Sequence, residues 1–375
     1  MNSEILFIGL DVDDKAFHGY AIAQASDFSA EFSCKPSSGA LKKKLTQFVD
    51  QGYQLQICYE ATYIGFSLQR ELSKSGYACD VIAPSLIPKA PGDHVKTDRL
   101  DSRKLAVYYK GGLLTKVHVP DEEEESIRDL IRARKKISEQ QKSIKNSINS
   151  LCRRLGRNYR QELDKKTASY WTLNHYQWLD KVVKESAYEA LKFNLSMQLI
   201  YLKQTQNLIE SYEVEIEKIA RTPRYQKKVQ ALGCYRGIDI LTAMCIVIEL
   251  GDINRFKHPK QITSYAGMDL REYSSGGRAL RSSMTKAGNR HLRTHAIEAC
   301  QQAMLIPKIG PNLRARRAGL DPQLIEIGER CMFRLHKKST KLLFRGKPVN
   351  KIKTACAREL LCFIWESLRE AQRAV

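Results

Sequence analysis

The chain has 375 residues, 43% of them hydrophobic, and carries a net charge of +21. That apolar content excludes an intrinsically disordered chain. The longest apolar run, ILTAMCIVIEL at 240–250, is too short to span a bilayer and contains an acid.

The opening residues, MNSEILFIGLDVDDK, have no basic stretch ahead of the apolar run, and Asp11 breaks it, so no secretory leader is expected. Ten cysteines are scattered without a CxxC pair, which gives no support to a zinc site and suits reduced core thiols. These features predict a soluble, cytoplasmic protein with no membrane partner. The charge is uneven. Residues 1–110 hold 13 Lys/Arg and 13 Asp/Glu, so the whole excess lies beyond them. A neutral head on a basic body suggests chemistry in one part and a polyanion, by default nucleic acid, held by the other.

In chain order, ILFIGLDVD reads as a first strand ending in acids. HGYAIAQ and EFSCKPS read as two short strands, ALKKKLTQFVDQG as a helix with a Gly stop, and YQLQICYEA as a strand ending in Glu60. Helix YIGFSLQRELSKSG, strand ACDVIAP and helix DRLDSRKLAVYYKGG follow. Three early strands and then alternating helices and strands predict one mixed sheet with helices on its faces. From residue 122 a long basic helix begins after an acidic first turn, which suits the helix dipole. A less regular middle leads to a second long helix with a coiled-coil-like stripe of Leu191, Leu195, Leu202, Ile209, Ile216 and Ile219. The two long helices predict an antiparallel pair or a dimerisation arm. From Tyr225 a helix, a Gly-containing turn and a buried helix resemble a helix-hairpin-helix. A polar loop and basic helices then run to the end. The expected fold class is thus α/β plus α, with regions at 1–115, 116–222 and 223–375.

Four carboxylates stand out. Asp11 ends the first strand and Glu60 a later one, and strand ends are where open α/β sheets assemble sites. Asp98 and Asp101 lie three apart in HVKTDRLDSRKLA, so on a helix they share a face. Alone, that pair reads as a solvated helix face. Asp13 and Asp14 compete with Asp11 but read as turn residues past the strand end. Four converging carboxylates would repel one another unless cations were present, and oxygen ligands suit Mg²⁺ or Mn²⁺. Two such ions about 4 Å apart can serve a phosphoryl displacement.

In that order and spacing, GLDVDDK, CYEAT and KTDRLDSRKLA resemble the DEDD motif of bacterial insertion-sequence transposases related to the Piv DNA invertase, a group described as bridge-RNA-guided recombinases. The resemblance implies a RuvC-like, RNase-H-type first domain with Asp11, Glu60, Asp98 and Asp101 as metal-holding catalytic acids. TAMCIVIELGDINRF, QITSYAGMD, YSSGG and MTKAGNRHLR resemble the C-terminal domain of the same group. There a serine just before a glycine is the proposed nucleophile. The matching position is Ser275, with Ser274 as the second choice. Outside such flanks SSGG is an ordinary turn. Lys286, Asn289, Arg290 and Arg293 read as phosphate contacts near a helix N-terminus, against the alternative of an ordinary basic helix face. Arg236 and Asp239 stand where the group usually has proline and glycine in the hairpin turn. The resemblance implies cutting and rejoining of donor and target DNA, a structured guide RNA, a homodimer or homotetramer, and a place at the bacterial nucleoid. The alternatives are a metal-dependent junction-resolving nuclease, which would not need Ser275, and an inactive nucleic-acid-binding relative.

Overall fold

The computed structural model describes residues 4–88, 98–163, 167–275 and 278–373, and the chain divides into two compact units, residues 1–121 and 122–375. The first unit runs β1 (Ile5–Val12), β2 (Phe17–Ala23), β3 (Ser29–Cys34), α1 (Ser38–Asp50), β4 (Gln54–Glu60), α2 (Ser67–Lys74), β5 (Ala78–Ile82) and α3 (Asp98–Lys110). Its sheet has the order β3-β2-β1-β4-β5. The β1–β2 and β2–β3 pairs are antiparallel, while β1–β4 and β4–β5 are parallel. This is the mixed sheet that the strand pattern predicts, and every predicted strand is present.

Period-2 alternation gives the central strands two buried faces. On one, Leu6, Ile8, Leu10, Leu55, Ile57 and Tyr59 pack against Leu41, Leu45 and Phe48 of α1 and Leu68 and Leu72 of α2. The other is covered by α3, whose Leu105 and Tyr109 cluster with Cys58, Ile82 and Phe7. The start of α1 is fixed locally: the Ser37 hydroxyl accepts from the Ala40 amide at 3.2 Å, a cap that contributes about 1 kcal/mol.

Among its described residues the second unit is helical apart from one hairpin. It runs α4 (Glu122–Arg154), α5 (Tyr159–Glu162), α6 (Leu173–Glu185), α7 (Glu189–Ala220), α8 (Pro223–Gly233), α9 (Ile240–Leu250) and α10 (Pro259–Tyr265). The hairpin strands β6 (Leu270–Ser275) and β7 (Arg278–Met284) follow, then α11 (Arg290–Ala299), α12 (Pro311–Arg317), α13 (Pro322–Phe344) and α14 (Val349–Arg373). The two long helices, α4 and α7, form an antiparallel pair. Near the base Ile127 and Ile131 of α4 share a core with Ile216 of α7, and near the far end Ile148 and Leu151 share another with Leu195 and Leu202. The predicted stripe on α7 is therefore its packed face.

Two expectations need correcting. The polar loop after residue 269 contains a two-stranded hairpin followed by α11; LREYSS and RALRSSM lack the apolar–polar alternation that announces a strand. The irregular middle contains α5 and α6, and the latter buries His175, Trp178, Leu179 and Val182 at helical spacing. No helix among the described residues is long and apolar enough to cross a membrane.

Candidate functional site

The acids of the first unit are positioned by strand register. In the parallel β1–β4 pair Phe7 lies opposite Gln56, Gly9 opposite Cys58, and Leu10 opposite Tyr59. The next residues are Asp11 and Glu60. Alternation puts Phe7, Gly9 and Asp11, with Gln56, Cys58 and Glu60, on the face covered by α3. Gly9 is the seat of that helix. A Cβ at Gly9 would lie 2.3 Å from the Ser102 carbonyl oxygen and 2.4 Å from the Ala106 nitrogen, so only glycine admits the approach.

The direction of α3 follows from its far end. The Lys110 ammonium donates to the Ala23 carbonyl at 2.7 Å, and Ala23 pairs with Leu6 near the start of β1. The Tyr109 hydroxyl reaches Gln56 at 3.4 Å and also bonds Asp80. The helix thus runs back along the sheet, and its first turn lies at the end where Asp11 and Glu60 stand. Asp101, directly before Ser102 at the start of the Gly9 contact, belongs to that end. Asp98 begins the helix, but its side chain lies outside the described residues. Asp11, Glu60 and Asp101 are each partly exposed. Two basic neighbours of the acids are directed to rings: Arg103 stacks over Tyr20 and Lys104 over Tyr108. Asp13 and Asp14 follow β1 as exposed turn residues, and Asp13 accepts from the Lys15 amide at 2.9 Å. Carboxylate oxygens are hard donors suited to Mg²⁺ or Mn²⁺. Among the described residues no three acid, His or Cys side chains already form a metal-binding group.

In the second unit the hairpin register ends with Ser275 opposite Arg278, so Ser275 is the last residue of β6. The side chains of Ser274 and Ser275 lie outside the described residues. A buried glutamate that sequence reasoning missed ties together residues flanking this hairpin, Tyr265 before it and Asn289 after it. Glu249, on α9, is fully buried. Arg132 of α4 grips it in bidentate fashion, with Nε and a terminal nitrogen each 2.9 Å from a carboxylate oxygen. The Asn289 side-chain amide donates to Glu249 at 2.7 Å, and the Tyr265 hydroxyl donates to its backbone carbonyl at 3.2 Å. Burial alone would raise the Glu249 pKa, but the hydrogen bonds and charge of Arg132 outweigh it and hold the carboxyl below its ordinary range. The signal in the sequence is an acid inside the apolar run at 240–250.

The residues expected to meet phosphate divide into two kinds. Lys286 and Arg290 are exposed. Arg290 has Glu139 at 3.9 Å, a weak contact. Asn289 caps α11, its side-chain oxygen accepting from the Leu292 amide at 2.9 Å, in addition to its bond with Glu249. Arg293 donates to the Ala266 carbonyl at 2.6 Å. Both of these side chains are engaged within the fold. Gly288 sits between the groups with φ of 136°, and a Cβ there would meet the Tyr265 carbonyl oxygen at 2.4 Å.

Comparison with known proteins bears on both units. A family model described as "Transposase", of the DEDD IS110 type, matches residues 8–155, and one described as "Transposase IS116/IS110/IS902 family" matches residues 229–316. A protein of Sinorhizobium fredii named as a transposase is 31% identical over 370 residues, covering 98% of this chain and 89% of its own length. The chain belongs to the IS110/IS116/IS902 family of transposases. The transposase for insertion sequence element IS1533 of Leptospira borgpetersenii is 27% identical over 92% of this chain and 99% of its own. That for element IS1111A of Coxiella burnetii is 23% identical over 55% of this chain and 54% of its own.

The matched segments of this transposase contain all four acids in the first and Glu249, Ser275 and Asn289 in the second. The turn between α8 and α9 keeps its glycine: Gly237 has φ of 87°, and a Cβ there would lie 2.3 Å from the Ala299 carbonyl oxygen. The two unusual residues beside it are structural. Asp239 caps α9 by accepting from the Thr242 amide at 2.7 Å. Arg236 donates to the Gln302 side chain at 3.1 Å and to the Ile306 carbonyl at 2.9 Å.

Proposed function

We propose that this transposase cuts and rejoins DNA strands using Asp11, Glu60, Asp98 and Asp101 as a divalent-metal site and Ser275 as the nucleophile. The observation that carries the reading is the common address of Asp11, Glu60 and the first turn of α3 at one end of the sheet. The antiparallel start and parallel continuation of that sheet are what a RuvC-like domain requires. Bound Mg²⁺ or Mn²⁺ would supply positive charge for a developing phosphorane.

A serine hydroxyl is a weak nucleophile until its proton is taken. In the proposed step the Ser275 oxygen attacks a DNA phosphorus and its proton passes to a carboxylate, while the P–O bond to the departing strand breaks and that oxygen takes a proton from water to leave as a hydroxyl. The phosphoserine link keeps the bond energy, so a second DNA hydroxyl can reverse the step on a new strand. The exposed Lys286 and Arg290 are the proposed phosphate contacts, while Asn289 and Arg293 support the turn that carries them. Exchange between two duplexes requires several active sites, so the working form is a homodimer or homotetramer. A structured guide RNA would select donor and target by pairing, which fits a chain whose basic excess is spread over many helices and carries no base-reading motif.

The test uses purified protein, supercoiled plasmids bearing the element's ends, and its flanking RNA. Wild type should leave a phenol-resistant protein–DNA adduct that needs a divalent ion. Ser275→Ala should abolish the adduct and strand exchange, while Asp11→Asn or Glu60→Gln removes all cleavage. Ser275→Ala that still cuts but never joins would favour the junction-resolving nuclease. Sequencing of RNA co-purified from the host checks the guide: one enriched species encoded beside the gene is expected.

A further inference from the structure

Helix α13 lies beyond both family-matched segments. Its inner stripe is Leu324, Ile327, Cys331, Leu335 and Ser339, all buried. The opposite stripe carries Phe333, Lys337, Thr340, Lys341 and Phe344, at successive spacings of four, three, one and three residues, and so these share one face. Phe333 is 59% exposed and Phe344 89% exposed. A ring on the face diametrically opposite a helix's core is not completing that core. Two such rings three turns apart stand about 16 Å from each other along the axis.

The charge around them has one sign. Residues 330–353 contain nine Lys/Arg and no Asp or Glu. The cations on the flank toward α14 are neutralised: Arg330 pairs with Glu366, Arg334 with Glu359 at 2.6 Å, and Lys338 with Glu359 at 2.8 Å. Lys337, Lys341 and Arg345, beside the exposed rings, have no acidic partner among the described residues, nor do Lys347 and Lys351 in the turn and first turn of α14. His336, Lys337, Thr340, Lys341, Phe344 and Arg345 border one shallow concavity.

We infer that this outer face of α13 is a stacking platform for unpaired nucleotides, with Phe333 and Phe344 under bases and Lys337, Lys341 and Arg345 against the phosphates between them. Duplex nucleic acid would satisfy the cations but leave the rings in water, since its bases are already stacked. An unpaired strand satisfies both, because every base has a π-face and every nucleotide a phosphate. A second copy of this chain is disfavoured by charge, as the same face on both partners would bring only cations together. The inference rests on nucleic acid being the partner of this transposase, but on none of the catalytic assignments.

The experiment is fluorescence anisotropy with the full-length chain and labelled oligo(dT), oligo(U) and a mixed-sequence duplex, each of about 15 nucleotides or base pairs. Wild type should prefer the single strands. Phe344→Ala and Phe333→Ala should each weaken single-strand binding about tenfold and change duplex binding less than about twofold. Phe344→Trp should retain affinity. Lys337→Ala with Lys341→Ala should weaken all three ligands and flatten the salt dependence. Tighter binding of oligo(U) than oligo(dT) would assign RNA, and the reverse DNA. Both rings being exposed, the alanine variants should melt as wild type does. Loss of single-strand and duplex affinity in equal measure, or no loss at all, overturns the inference. So does a change of sedimentation coefficient in Phe344→Ala with nucleic-acid affinity intact, which would make the face a contact between copies. None of these readouts depends on Ser275 or the four acids, so failure here leaves the catalytic reading standing, and the converse holds.

Discussion

The acid end of the sheet and the serine hairpin are built on different principles. Asp11 and Glu60 are placed by backbone register, and the helix bearing Asp101 is set against them by one absent side chain, at Gly9. The residues on either side of the hairpin join a buried polar knot in which residues 132, 249, 265 and 289 come from α4, α9, α10 and the cap of α11. A register tolerates changes around it so long as alternation survives. A buried ion pair fails as a unit, because removing one member strands the other's charge.

The most damaging break should therefore be Arg132→Met. It leaves the fully buried Glu249 carboxylate without its guanidinium and should cost about 3–5 kcal/mol, read from urea unfolding of the second unit. Arg132→Met with Glu249→Leu should recover much of that loss if the cost is an uncompensated charge and not lost volume.

Acid should find the same unit. Burial holds His175 and His295 down at about 4, from an ordinary 6.5. The unfolded chain binds these protons first, so stability is full above pH 6.5 and falls as pH drops toward 4. The expected loss is about 2–3 kcal/mol for each histidine, measured by thermal melts across that window. His295→Phe should flatten part of the slope.

On the sheet side, Gly9→Ala forces a Cβ against backbone atoms of α3 and should cost about 1–3 kcal/mol. Its effect on cleavage should exceed its effect on stability, because the helix it displaces carries Asp101. If activity falls only in proportion to the folded fraction, α3 does not position the acids. Smallest is Asn289→Ala, about 1–2 kcal/mol, from the lost cap of α11 and one lost donor to Glu249.

The same contrast explains what could be read from residues alone. Strand ends were legible because ILFIGLDV and QLQICYE announce their period, and parallel neighbours with acids at their ends have few ways to pair. Gly9 was not, since its meaning lies in Ser102 and Ala106, more than ninety residues away. Asn289 and Arg293 are the types that bind phosphate, but residue type does not reveal that a carboxylate at 249 and a carbonyl at 266 already hold them. The hairpin strands carry no apolar–polar alternation, so a strand pair looked like a loop. The stripe on α7 showed that something packs there, and α4 is what packs.

The 33-residue α4 also has a mechanical side. Its base is pinned at Arg132 to the buried Glu249 carboxylate, while its far end, with α6 and α7, has a core of its own at Ile148, Leu151 and Trp178. From Arg132 to Arg154 the helix spans about 33 Å. Such a rod is a lever with a short arm at Glu249. A push of about 3 Å at the tip turns it by about 5°, which over the roughly 6 Å reach of the Arg132 side chain moves the guanidinium by about 0.5 Å, the whole width of the normal N–H···O range. Whatever grasps the tip therefore has leverage on the footing of Asn289 and the first turn of α11.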